Sequence, residues 1–131
     1  MNRGEFEKKY SEILARAEFC LDRVHKEGFI ALYEEIDYEK INERDIFEYG
    51  LRLFLEGETS REYADEILSN IINQEKDENA QVFKTMQKKA VFMIQDKVNP
   101  RVLRAVLNSF TAFNLDEGIP EAAMDELALQ S

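Results

Sequence analysis

Apolar residues fall at helical spacing over most of the chain. Phe6, Tyr10, Ile13, Leu14, Ala17, Leu21 and Val24 recur at helical spacing, which predicts an amphipathic helix near the N-terminus. Gly28 interrupts that face, and "FIALYEEI" (29–36) continues with helix formers. The pattern leaves open whether Gly28 ends the first helix or lies within a longer one. "DYEKIN" (37–42) reads as a loop. Ile46, Phe47, Gly50, Leu51, Phe54 and Leu55 form the next stripe, and Gly57 suits a left-handed C′ position that stops it.

Thr59 and Glu62 form a T-x-x-E capping box, so another helix is expected at once, with Ala64, Ile67, Leu68, Ile71 and Ile72 on its apolar side. The pattern thins over "QEKDENAQ" (74–81) and resumes at Val82, Phe83, Met86, Ala90, Met93 and Ile94. Two kinked helices or one of more than thirty residues would satisfy it. With no Gly or Pro between, a continuous helix over 60–96 is expected. Asn99 and Pro100 read as N-cap and N1 of a last core helix with Val102, Leu103, Val106, Leu107 and Phe110 on one face. No segment alternates with period two. The expectation is an all-α bundle of four to five amphipathic helices, one of them long, with the short C-terminal helix packed back on the core.

Composition narrows the class. The chain has 131 residues, 44% apolar and 34% charged, with 5 Gly and 2 Pro, which suits one soluble globular domain over 1–113. Residues 114–131 carry five acids and no base and read as an acidic tail, either a short helix or a frayed end. One cysteine excludes an internal disulfide and points to a reducing, cytoplasmic setting; Cys20 lies on the apolar face as core filler. No apolar run approaches the ~18 residues that span a bilayer, and "MNRGEFEKKY" lacks the apolar segment of a signal peptide, so no membrane insertion is expected.

Charge is unevenly distributed along the chain. The total of −10 disfavours nucleic acid as a partner. Residues 29–83 carry five bases and fifteen acids, whereas 84–113 carry six bases and one acid. The bland explanation is solvated helix faces; the sharper one is a protein–protein surface with segregated signs. Lys84, Lys88, Lys89, Arg101 and Arg104 are its basic candidates.

The catalogue of chemistry is short. There is no phosphate-binding glycine loop, and one Cys with one His cannot make the usual zinc site. Neither acidic cluster, Glu34/Glu35/Asp37 or Glu75/Asp77/Glu78, has calcium-loop spacing. No cofactor and no enzymatic activity are expected. A helical histidine in an acidic bundle raises histidine phosphotransfer, but His25-Lys26-Glu27-Gly28 departs from the His-x-x-Lys-Gly order of such domains.

Three stretches, in order, resemble the cytoplasmic parts of the flagellar stator protein MotA, of the MotA/TolQ/ExbB group. They are "KEGFIALYEEI" (26–36), "DIFEYGLRLFLEG" with "REYADEIL" (45–57 and 61–68), and "AVFMIQDKVNPRVLRAVLNSF" (90–110). In that family the first two lie between the second and third membrane helices, and the third follows the last. The resemblance implies a soluble copy of the stator's cytoplasmic module, lacking ion conduction, whose tail helix folds back on the core. It also implies contact with the rotor protein FliG, or another motor component, through a basic residue before the glycine and an acid after Ala-Leu. Lys26 matches the basic position two before Gly28, while His25 holds the one three before; Tyr33 stands at the acidic position, with Glu34 and Glu35 beside it. In the third stretch the family's glycine is replaced by Lys97. A generic helical adaptor with only ancestral kinship to stators is the alternative.

Overall fold

A computed structural model describes residues 2–36 and 45–111. Six helices, α1 to α6, account for the described chain, which contains no strand. The proposed loop at 37–42 and the acidic tail at 114–131 lie outside the described residues.

α1 runs Arg3–Glu27, 25 residues. Asn2 starts it, its side chain accepting a hydrogen bond from the Glu5 amide at 2.9 Å. Tyr10, Ile13, Ala17, Cys20, Leu21 and Val24 bury its inner face. Gly28 ends it at φ 80°, a conformation that side-chain-bearing residues adopt at a cost. The interruption is therefore real, and a separate six-residue α2 (Ile30–Glu35) follows, burying Ala31 and Leu32.

α3 (Ile46–Leu55) is capped by the Asp45 side chain and ends before Gly57, which takes the left-handed conformation at φ 71°. The next cap is displaced by one residue from the capping-box expectation. Ser60, not Thr59, has the extended backbone of an N-cap, and its hydroxyl accepts from the Tyr63 amide. α4 then spans Arg61–Asn73.

The expected continuous helix is two helices. α5 begins at Glu78 and runs to Gln95. No Gly or Pro is needed for the break, because Asp77 caps α5 from the Ala80 amide and the Gln81 side chain donates to the Glu75 carbonyl at 2.7 Å. The reversal lets α4 and α5 lie antiparallel, with Arg61 meeting Asp96 at one end and Glu75 meeting Lys84 at the other. That packing buries Leu68 and Ile72 with Phe83 and Met86 in one core.

α5 is the centre. Ala90, Val91, Phe92, Met93 and Ile94 are all buried, so the last part of the helix is covered on every side. α1, α3, α4 and α6 all pack against it. α3 approaches most closely at Gly50, where an added Cβ would stand 3.0 Å from a Val91 methyl and 3.3 Å from a Leu68 methyl.

α6 (Pro100–Ser109) starts as the sequence predicts, with the Asn99 side chain accepting from the Arg101 amide at 2.8 Å and proline at N1. It folds back onto α1 and α5 and buries Leu103 and Leu107 completely. Val106 and Phe110 pack at the core edge. Val102, expected on the same face, is 47% exposed. Position 102 sits one residue ahead of the buried 103/107 line, so the helix turns it outward.

Two substitutions on neighbouring positions of α6 check this packing. Leu103→Ala should lower the unfolding free energy by about 2–5 kcal/mol. Val102→Ala should change it by less than ~0.5 kcal/mol. Denaturant titration of the two variants against the parent measures both, and equal losses would contradict the placement of α6.

Candidate functional site

The corner where α1 meets α2 carries the first group of candidate contact residues. Lys26 lies in the last turn of α1, exposed, with its ammonium 3.0 Å from Asp22 one turn earlier. Both side chains are well solvated, so the pair contributes little and leaves Lys26 open to exchange partners. Across Gly28, α2 turns Glu34 outward beside two exposed apolar side chains, Ile30 (73% exposed) and Tyr33. Glu35 is the last residue of α2.

His25 is tied down. Its Nε2 lies 2.9 Å from the Val98 carbonyl oxygen, and a carbonyl only accepts, so Nε2 bears the proton in this arrangement. The contact joins the end of α1 to the turn between α5 and α6. It gives the histidine a structural task.

The basic run of the sequence does not form a single basic surface. Lys84 reaches Glu75 at 3.0 Å across the α4–α5 turn. Lys88 donates to Asp65 at 2.7 Å and to Ser69 at 2.9 Å, binding α5 to α4. Arg104 is only 9% exposed; its Nη2 donates to both Glu18 carboxylate oxygens at 2.7 and 2.9 Å, binding α6 to α1. All three are engaged in ties within the bundle. The reason is periodicity: a run of bases on a helix points in several directions, and those facing a neighbour find its acids. Lys89 and Arg101 remain exposed.

Lys97 is the residue the basic-surface reading passed over. Its φ is 51°, making it the one non-glycine with positive φ among the described residues. The Val98 amide donates to the Met93 carbonyl and the Lys97 amide to the Ile94 carbonyl, the paired bonds of a Schellman C-cap with Lys97 at C′. Glycine is favoured there, and a side chain costs roughly 1–2 kcal/mol. The Lys97 ammonium sits 5.0 Å from the centroid of Phe29, and Phe29 in turn meets Phe54 edge-on at 5.5 Å. The sequence signal was the glycine that the resemblance places at this position.

Burial acts on two further groups. It pushes the Tyr10 hydroxyl up to about 12, with the Arg104 charge opposing, and the hydroxyl points to Asn108 on α6. It also raises the Cys20 thiol, which suits core filling and not thiolate chemistry. Along the α1–α3 seam two open pockets of about 280 and 350 Å³ share Arg16 and Phe47, with Arg16 stacked on the Phe47 ring at 4.5 Å. Among the described residues no three His, Cys, Asp or Glu side chains converge as a metal site would require.

No family model, no characterised protein and no solved structure matches this chain.

Two tests follow from the ties. Glu18→Ala removes the charge-assisted bonds to Arg104 and should cost about 1–3 kcal/mol, whereas Lys89→Ala should be nearly neutral in the same urea titration. The Glu75 carboxyl is held below its ordinary value, first by the hydrogen bond from Lys84 and then by the Asp77 amide. A depressed carboxylate stabilises above its unfolded value near 4.5 and loses that contribution as pH falls through the folded value. The melting-temperature gap between the parent and Glu75→Gln should therefore close as pH is lowered below about 4.5, and a gap constant with pH would refute the tie.

Proposed function

We propose that this protein is a non-catalytic protein–protein interaction module of the MotA cytoplasmic type, acting in the cytoplasm on the flagellar motor through FliG or a stator component and conducting no ions itself. Among the described residues no helix is long and apolar enough to cross a membrane. The reading rests first on the order and spacing of the three resembling stretches. One structural observation supports it most. At the position where the resemblance has glycine, Lys97 occupies a left-handed C′ conformation, and the Asn99-Pro100 start and the docked α6 follow directly. A backbone that asks for glycine at that point is what a shared tail geometry requires.

The surface such a module would use is the α1–α2 corner, with Lys26 on one side of Gly28 and Glu34 on the other. Exposed contacts of this kind contribute ~0.2–1 kcal/mol each and are screened beyond ~8–10 Å at physiological salt. Affinity is then modest and salt-dependent, with much of the loss in the association rate. A specific observation also favours the generic adaptor: Lys84, Lys88 and Arg104 are occupied within the bundle, which reduces the charge available to a rotor.

Binding to purified FliG at low salt separates the two. The stator-like reading expects measurable affinity that falls with added salt, weakens in Lys26→Glu, and is partly restored by a matched reversal on the rotor protein. Absence of binding at low salt would remove the rotor reading and leave the adaptor.

A further inference from the structure

α2 is not stable by its own means. It has six residues, far below the ~12–15 at which an isolated helix becomes marginal in water, and its N-cap, Phe29, makes no side-chain capping bond. It also follows Gly28, at φ 80° and ψ 179°, where the absence of a side chain places few steric limits on how the chain leaves α1. Something outside α2 must set its direction.

The turn between α5 and α6 grips this hinge from both sides. Three residues before Gly28, His25 holds the Val98 carbonyl at 2.9 Å. One residue after it, Phe29 lies under the Lys97 ammonium at 5.0 Å. Lys97 and Val98 are consecutive, and their backbone path is the one that leads into Asn99, Pro100 and the docked α6. The Schellman bonds to the Met93 and Ile94 carbonyls hold Lys97 in its left-handed backbone at the point where the chain turns into α6. A turn that shifts when α6 leaves the core would carry the Lys97 ammonium off Phe29 and the Val98 carbonyl off His25.

We propose that the α5–α6 turn is a clamp, with Lys97 as its positioning residue, that couples the docking of α6 to the orientation of α2 across Gly28. α6 and α2 then open and close together as one unit, while the α4–α5 pair, tied separately through Lys84 and Lys88, stays closed. The coupling is a property of the chain by itself and does not depend on the partner proposed above.

Hydrogen exchange of the full-length protein, read amide by amide, tests this without any partner. The Leu32 and Tyr33 amides, which donate to the Phe29 carbonyl, report on α2, and those of Leu68 and Ile72 report on α4. Lys97→Met should speed exchange at Leu32 and Tyr33 by about two- to five-fold, the loss expected for one exposed cation–π contact, and leave α4 unchanged. Lys97→Arg keeps the cation and should retain the parent's protection. In the reverse direction, Leu107→Ala loosens α6 and should speed α2 exchange along with that of α6. Unchanged α2 exchange in Lys97→Met, α2 protection that ignores the loosening of α6, or an equal rise in α4 would each overturn the coupling.

Discussion

The burial of the last part of α5 on all sides is the constraint on which the other elements depend. Ala90 to Ile94 leave no direction in which this part of the helix can face water, so other helices must surround it. α1 and α3 take the broadest share, α4 lies antiparallel beside it, and α6 closes the remaining side. Gly50 shows how tight the fit is. At that crossing the α3 backbone comes close enough to Val91 and Leu68 that even a methyl would press on both. Burial of this kind is non-directional, and it accounts for the presence of a surrounding layer better than for the order of its members.

Direction comes from polar ties between helices. Glu18–Arg104 and Tyr10–Asn108 align α6 with α1, and Asp65–Lys88 and Glu75–Lys84 align α4 with α5. Arg61 does two things at once, pairing with Asp96 and stacking over Phe92, and so fixes the start of α4 to the end of α5. The more exposed of these pairs, Arg61–Asp96 and Asp65–Lys88, add little to total stability, and the more buried Glu18–Arg104 pair adds more. Their value lies in discriminating one helix register from another, because a shifted register would leave acids and bases facing apolar neighbours.

The corner formed by Gly28, Phe29 and Lys97 brings the proposed contact surface and the proposed clamp together. It exposes Ile30, Tyr33 and Glu34 on a short helix whose direction is set from the far end of the chain. A surface held by two segments far apart in sequence can be presented or withdrawn as a unit, which a surface on one long helix cannot.

Much of the local structure was legible in the residues themselves. Asn99 and Pro100 cap and open α6, Gly57 stops α3, and the apolar faces of α1, α3 and α4 follow the 3.6-residue period, because capping and amphipathicity act over a few residues. Even the displaced cap at Ser60 is an error of one position within a correctly placed helix start. The break at 74–77 was not legible, since Asp77 could as well have stayed inside a helix; the gain from folding α5 back on α4 decides it, and that gain is made by residues far apart in sequence. The candidate surface divides in the same way. Lys26 and Glu34 are exposed as the pattern suggested, but no local rule could turn Arg104 inward, because its partner Glu18 lies 86 residues away. Nor could one place Lys97 over Phe29, because the two lie far apart in sequence and meet only in the folded chain.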